Sequence, residues 1–349
     1  MFIKNAWYAG ALLDEVSREP LRRKILGEAV VFYRRDSGEA VAMSDVCPHR
    51  FAKMSDGFLV GDDIECPYHG LRFSPDADGK CSHNPQGGEV PDSARLKVYP
   101  VEERHGIVWL WTGDVDKADV SKIHDFSRFD DDKLISGYMH AKANHLLLAD
   151  NIMDAGSHVD YVHEMLKAHG DYTRKFDFVE RDGYLLSRGW WIGCEIPKFM
   201  TMMWPDAKAS DVYNYGYWQA PGTILFLIGL ADSNDPDSIN RDSGMPAAHI
   251  FTPETESTSH YFYLTQLLPK AEEEALKQGT LDQSIEWVRK NTEGAFVGED
   301  KPMLEGQQDN MGDKEFFSLK PALLPCDAAS VRLRRIYAKL LAEEQSSAS

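Results

Sequence analysis

Two short stretches, Cys47-Pro48-His49-Arg50 and Cys66-Pro67-Tyr68-His69-Gly70, each set one cysteine and one histidine two or three residues apart. In a chain with 5 cysteines and 12 histidines, two such pairs read as a metal site. Two thiolates and two imidazoles can hold either a structural zinc or a two-iron two-sulfur cluster. Zinc ribbons favour knuckles with both cysteines on one loop. Here each loop supplies one Cys and one His, which suits a cluster whose one iron takes both cysteines and whose other iron takes both histidines. Neutral imidazoles make such a cluster less negative, raise its potential, and can take up a proton as an electron arrives. Cys81, Cys194 and Cys326 have no comparable context and read as ordinary thiols.

A second concentration of donors lies at NIMDAGSHVDYVH, which holds Asn151, Asp154, His158 and His163. On an ideal helix Asn151, Asp154 and His158 share one face. His163 would lie roughly 140° round from His158, so the two meet on one ion only where the helix bends or bulges. Polar residues on an exposed helix face are the plain alternative. Two histidines and one carboxylate on one face of an iron(II) leave open positions for oxygen, the recurring non-haem arrangement. The carboxylate must come from elsewhere, and FVGEDKPMLEGQQ offers Glu299 and Asp300 on a predicted helix.

These groups need two scaffolds. Up to about residue 115, short β-type runs (EAVVFYRR, EAVAMSDV, GIVWLWTG) are broken by turn signals, which predicts a small antiparallel β domain carrying the Cys/His loops. The text between residues 113 and 135 turns polar, and the boundary is placed at 135, giving domains 1–135 and 136–349. The second portion mixes a helical segment around NHLLLADNIMDAGSHVDYVHEML with β-type runs such as YNYGYWQAPGTILFLIGL and HYFYLTQLL and a charged helical tail, an α+β domain.

Composition narrows the partners. A net charge of -18 disfavours a nucleic-acid surface, because phosphate binding needs Lys and Arg in excess. The apolar run TILFLIGLA is about half of what spans a bilayer, so no membrane association is expected. MFIKNAWYAGALLDE does not read as a secretory signal, and the few scattered cysteines fit a reducing compartment; a cytoplasmic protein is expected. No Gly-rich dinucleotide loop follows a strand, so NADH is expected to bind on another protein.

CPHR followed by CPYHG is the Rieske pattern, and the whole chain resembles the oxygenase component of Rieske non-haem iron oxygenases, within them the vanillate O-demethylase and dicamba monooxygenase group. KNAWY at Lys4 to Tyr8, CPHR, CPYHGL, DNIMD with YVH, TPETE at Thr252 to Glu256, and ED followed by QQ near Asp300 carry the likeness nearly end to end. It implies an all-β Rieske [2Fe-2S] domain, ligated by Cys47, His49, Cys66 and His69, and an α+β catalytic domain with a helix-grip-like antiparallel sheet. It further implies a mononuclear iron held by His158, His163 and Asp300, and Asp154 as a bridge from His69 of a neighbouring subunit to His158. In the family the cluster and iron of one chain lie too far apart for useful electron transfer, so a head-to-tail homotrimer is implied. The chain departs from the family in placing three residues, not two, between Asp154 and His158, which puts the bridge in question.

The implied reaction uses O2 and electrons from a separate flavin and iron-sulfur reductase or a ferredoxin. A methoxy C-H bond of a small aromatic acid is hydroxylated, and the product falls apart to a phenol and formaldehyde. On a methyl-bearing aromatic acid the methyl group is hydroxylated instead, and ring hydroxylation is the runner-up. His249 is a candidate for contact with the substrate carboxylate, and GWWIGCEIPKFMTMMW supplies aromatic and Met side chains for an apolar pocket or for core. Two other classes stay in view: a Rieske electron carrier with an empty second domain, and a zinc-stabilised binding protein.

Overall fold

The computed structural model describes residues 1–130, 134–181, 183–204, 210–232, 234–239 and 243–347. Two compact units divide the chain at Ile123/His124; the first also takes in Thr252–Thr255.

In the first unit, three small antiparallel sheets follow the short runs and frequent turns of the sequence. One is ordered β1 (Trp7–Leu12), β11 (Ile107–Trp111), β10 (Val101–Arg104). The second is β2 (Leu21–Ile25), β3 (Glu28–Arg34), β4 (Ala40–Ser44), β9 (Val98–Tyr99). The third is β5 (Phe58–Val60), β6 (Asp63–Glu65), β7 (Arg72–Phe73), β8 (Cys81–His83). Alternation along β3 and β4 buries Val31, Tyr33, Val41 and Met43, which pack with Met54, Ile64 and Phe73 around Cys47 and Cys66. The TPETE stretch joins this unit through backbone: Leu26 N-H donates to the Pro253 carbonyl at 2.8 Å and Gly27 N-H to that of Glu254 at 2.9 Å.

The second unit is built on a seven-stranded sheet ordered β12 (Ile135–Ala141), β18 (Thr258–Thr265), β17 (Met245–Thr255), β16 (Thr223–Ala231), β15 (Ser210–Gln219), β14 (Tyr184–Cys194), β13 (Thr173–Arg181). Pairing is antiparallel from β13 through β17 and between β12 and β18. Among the described residues it is accompanied by α-helices α1 (His145–Met153), α2 (Val159–Val162), α3 (Lys198–Met203), α4 (Pro269–Gln278), α5 (Leu281–Glu293), α6 (Lys301–Met311) and α7 (Ala328–Ser347). This is the all-β plus α+β organisation read from the sequence. No helix among the described residues is long and apolar enough to cross a membrane.

Two helical details depart from the sequence reading, and both place site residues. The segment 144–166 is not one distorted helix. After α1, Ala155 (φ 58°) and Gly156 (φ 79°) enter the left-handed region, and helix resumes only at Val159. The turn passes close against β14, where a Cβ on Gly189 would stand 2.2 Å from the Ala155 carbonyl oxygen. The widening predicted for this segment occurs instead at Gly294–Asp300, a π-helix running directly from α5 into α6. Pro302 supplies a reason: it has no N-H for the carbonyl of Gly298, and its ring would crowd that carbonyl in a regular α-helix.

Candidate functional site

The two Cys/His loops are near copies of each other. Cys47 N-H donates to the Ala52 carbonyl and Phe51 N-H returns to Cys47, both at 2.9 Å; Cys66 N-H donates to Leu71 at 2.8 Å and Gly70 N-H to Cys66 at 3.0 Å. Each loop closes through a left-handed residue, Phe51 (φ 60°) in one and Gly70 (φ 71°) in the other. Cys47 and Cys66 are buried, while His49 is exposed and His69 half-buried, their rings 4.5 Å apart. Burial and the neighbouring Cys66 thiol push the Cys47 thiol above its ordinary value, against the pull of the His49 and Arg50 backbone. A metal ion bound at the loops would favour the thiolate against this burial. Among the described residues these four donors are not gathered as tightly as a single ion requires; only His158, His163 and Asp300 bring three donor atoms within 4.8 Å of one another. A wider two-iron centre suits the loop pair better than one zinc.

The second site joins three elements. The left-handed turn after α1 presents His158, the end of α2 presents His163, and the π-helix presents Asp300. His158 Nδ1 lies 2.8 Å from Asp154 Oδ2, and His163 Nδ1 lies 2.6 Å from Glu299 Oε2. With Nδ1-H given to a carboxylate in each ring, both Nε2 atoms are left as acceptors. They face the same oxygen: Asp300 Oδ1 is 3.6 Å from His158 Nε2 and 3.2 Å from His163 Nε2. That oxygen is buried and has no hydrogen-bond partner. Lone pairs converging on a point inside the protein are the chemistry of a cation site, and the set of two imidazoles and one carboxylate fits iron(II). Burial pulls both histidines down, but the surrounding carboxylates outweigh it and their pKa values are raised: Asp154, then Asp300, for His158, and Asp300, then Glu299, for His163.

Asp154 reaches His158 across three intervening residues. Its carboxylate also accepts from Gly156 N-H at 2.8 Å and Ser157 Oγ at 2.8 Å, so the left-handed turn holds it in place. Next to the turn, Asp160 accepts from Ala168 N-H at 2.9 Å and Trp191 Nε1 at 3.0 Å, and from Tyr172 and Arg174.

A cavity of about 260 Å³ opens beside the three donors. Its floor is one face of the sheet, where alternation along β15 to β18 brings up Asn214, then Phe226 and Ile228, then Met245, Ala247 and His249, then Tyr263 and Thr265. His249 is buried, with Nδ1 2.6 Å from the Tyr261 hydroxyl and Nε2 unpartnered; burial lowers its pKa to about 3. Asn214, fully buried, leaves both amide atoms unpartnered. Asn151 lines the cavity as well. Among the described side chains of GWWIGCEIPKFMTMMW, Phe199 reaches it and Trp191, Cys194 and Met200 are core; the side chains of Met202 and Met203 lie outside the described residues. Asn214 had no role in the sequence reading, and Glu299 entered it only as one of two candidate carboxylates, not as the partner of His163. The signal for Asn214 was an amide alternating with tyrosines in VYNYGYW; for Glu299 it was its place beside Asp300.

The paired Cys/His loops and the buried cluster of two imidazoles and one carboxylate are the two donor sets that a two-centre oxygenase subunit requires. Residues 6–100 match the family described as Rieske [2Fe-2S] domain, and residues 141–343 that described as Vanillate O-demethylase oxygenase C-terminal domain. The chain is 37% identical to the oxygenase component of chloroacetanilide N-alkylformylase of Rhizorhabdus wittichii, over 96% of this chain and 94% of that one. It is 36% identical to the oxygenase component of dicamba O-demethylase of Stenotrophomonas maltophilia, over 97% and 98%. A crystal structure of dicamba monooxygenase with non-heme iron and dicamba superposes with a TM-score of 0.77 at 33% identity, covering 99% of this chain and 98% of that one. The chain belongs to the vanillate O-demethylase type of Rieske oxygenase components. It is an oxidoreductase subunit that works with O2 and a separate electron donor, and its N-terminal unit is a Rieske [2Fe-2S] domain.

Proposed function

We propose that His158, His163 and Asp300 hold a mononuclear iron(II), that Cys47, His49, Cys66 and His69 hold the [2Fe-2S] cluster, and that the protein removes a methyl group from a small methoxylated aromatic. The convergence of three donor atoms on a buried point beside an apolar cavity carries this reading. When bound, the two groups supply single electrons and oxygen activation. The residues do the rest. Asp154 and Glu299 hold the imidazole tautomers, Phe226, Ile228 and Phe296 keep water from the reacting carbon, and Asn214 and His249 offer the cavity's unpartnered polar atoms. In balance, a methoxy arene, O2, two electrons and two protons give a hydroxyarene, formaldehyde and water.

The relatives' names include an anilide and dicamba; the aromatic acid expected from the sequence falls within that range. A head-to-tail homotrimer, with Asp154 at the junction to the neighbour's His69, follows from the family resemblance. The Asp154 to His158 contact within one chain supports its near half. Light scattering tests the assembly, and a monomeric holoprotein would count against it.

Metal analysis tests the centres. Purified protein should hold about three irons and two sulfides per chain, one two-iron cluster plus one further site. His163→Ala should lose the third iron and all formaldehyde release while keeping the red-brown cluster spectrum. A variant that still demethylates would remove the triad from the reaction. Turnover without formaldehyde would point to hydroxylation instead.

A further inference from the structure

Resting on the demethylase reading, a second fate for reduced oxygen follows from what lines the cavity. We propose that the thioethers of Met165 and Met245 accept an oxygen atom when turnover starts with no methoxy group in place, so that the protein converts part of its own cavity wall to methionine sulfoxide.

Both residues line the cavity of about 260 Å³ that His158, His163 and Asp300 also line. Met165 follows His163 by two residues, and its carbonyl accepts from Phe199 N-H at 3.0 Å, which ties this stretch to α3. Met245 opens β17 opposite Ile228 of β16, so sheet register sets its place. Both side chains are half-buried and pack against one apolar cluster that includes Val159, Phe199 and Ile228. Their unbranched stems, with three rotatable bonds, let each sulfur swing toward the open volume. Beside them, Phe199, Phe226 and Ile228 offer aromatic rings or strong C-H bonds, whereas a thioether sulfur carries an exposed lone pair and oxidises readily. The step balances with what demethylation already uses. One thioether, O2, two electrons and two protons give one sulfoxide and one water: an S-O bond forms, the O-O bond breaks, sulfur loses two electrons and the separate electron donor supplies the other two. Each sulfoxide puts a strong acceptor into an apolar wall, which weakens the hold on an apolar ring. Position separates this chemistry from damage by free peroxide, which falls first on exposed sulfur. Met1 (78% exposed) and Met303 (55%) face solvent, while Met153 and Met200 are buried in core clusters.

The test uses iron-loaded holoprotein, a surrogate reductase with NADH, oxygen-18 gas and catalase, with either 3-fluorobenzoate, which has no methoxy group, or 3-methoxybenzoate. Peptide mass spectrometry then reads the label at each methionine. With the fluoro compound, the combined label at Met165 and Met245 should exceed that at Met1 and Met303 by about fivefold or more. His163→Ala should lose the label at both cavity positions while keeping its cluster spectrum, and Met165→Leu with Met245→Leu should not shift the label to Met1 or Met303. Label that follows exposure, or that persists in His163→Ala, overturns the proposal. So do unlabelled Met165 and Met245, whether or not oxygen is consumed. Formaldehyde from 3-methoxybenzoate without cavity label leaves the demethylase reading standing and the proposal refuted. Cavity label without formaldehyde from any methoxylated aromatic sinks the demethylase reading instead, so the two failures are distinguishable.

Discussion

His158 and His163 each lie against a carboxylate through Nδ1, yet the two carboxylates differ in setting: Asp154 is held by the turn it closes, while Glu299 is 39% exposed and comes from the residue beside Asp300. Glu299 fixes the ring that the most buried part of the site depends on, since the side chain of His163 is only 5% exposed. Replacing it with Gln keeps the shape but allows the amide to present N-H instead of an acceptor. Loss of such a partner commonly weakens metal binding about 10- to 100-fold. Glu299→Gln should therefore release its mononuclear iron to a chelator at 10- to 100-fold lower chelator concentration, with the cluster absorption unchanged. Unaltered competition would leave Glu299 as a surface residue. Which of two consecutive acids turns inward was not readable from the sequence, because a π-helix shifts the phase that an α-helix would give; only the family resemblance singled out Asp300.

Elements, not only side chains, place the triad. The sequence reading carried a helix through Asp154 and His158 on the spacing of the donors, and Ala155 and a single Gly do not forbid helix there. Packing decided otherwise: the chain turns left-handed at Ala155 and Gly156 and drops into the space left by Gly189 on β14. The paired Cys/His loops were legible because their donor and turn residues are neighbours in sequence. In the floor, β15, β16 and β18 were legible as strands but β17 was not singled out, and none of it was legible as a cavity, since its residues come together only through cross-strand register. Gly189 gives a direct test of the turn. An added methyl would stand 2.2 Å from a backbone oxygen and 2.9 Å from the Ala155 Cβ, so the turn must shift. Gly189→Ala should cost about 1 to 3 kcal/mol in the unfolding of the second unit. It should also lower iron occupancy relative to the two cluster irons. Full iron loading at wild-type stability would show that the turn does not depend on this gap.

At the scale of the whole molecule, acid tolerance depends on groups buried in the second unit. Burial, with Arg334 adding to it, lowers the His145 pKa to about 3, and burial alone takes His249 to about 3. Unfolding frees both to titrate near 6.5, so the unfolded chain binds more protons between those values. Their contribution is complete above pH 6.5 and is lost as pH falls toward 3. Asp150 works the other way: burial, outweighing Arg334, raises it to about 6, so the folded state binds its proton first and gains between pH 6 and the ordinary carboxylate range. The two histidines outweigh the one carboxylate, and the net loss from pH 7 to pH 5 is on the order of 2 to 3 kcal/mol. The triad histidines, with raised pKa values when no metal is bound, would mask this, so the iron-loaded protein is the one to unfold. Urea midpoints at pH 7 and pH 5 should differ in that direction, and His145→Phe, which keeps an aromatic ring beside Tyr337, should lose less stability over the same interval. An equal loss in that variant would mean that His145 titrates alike in the folded and unfolded chain, and that the acid sensitivity arises elsewhere.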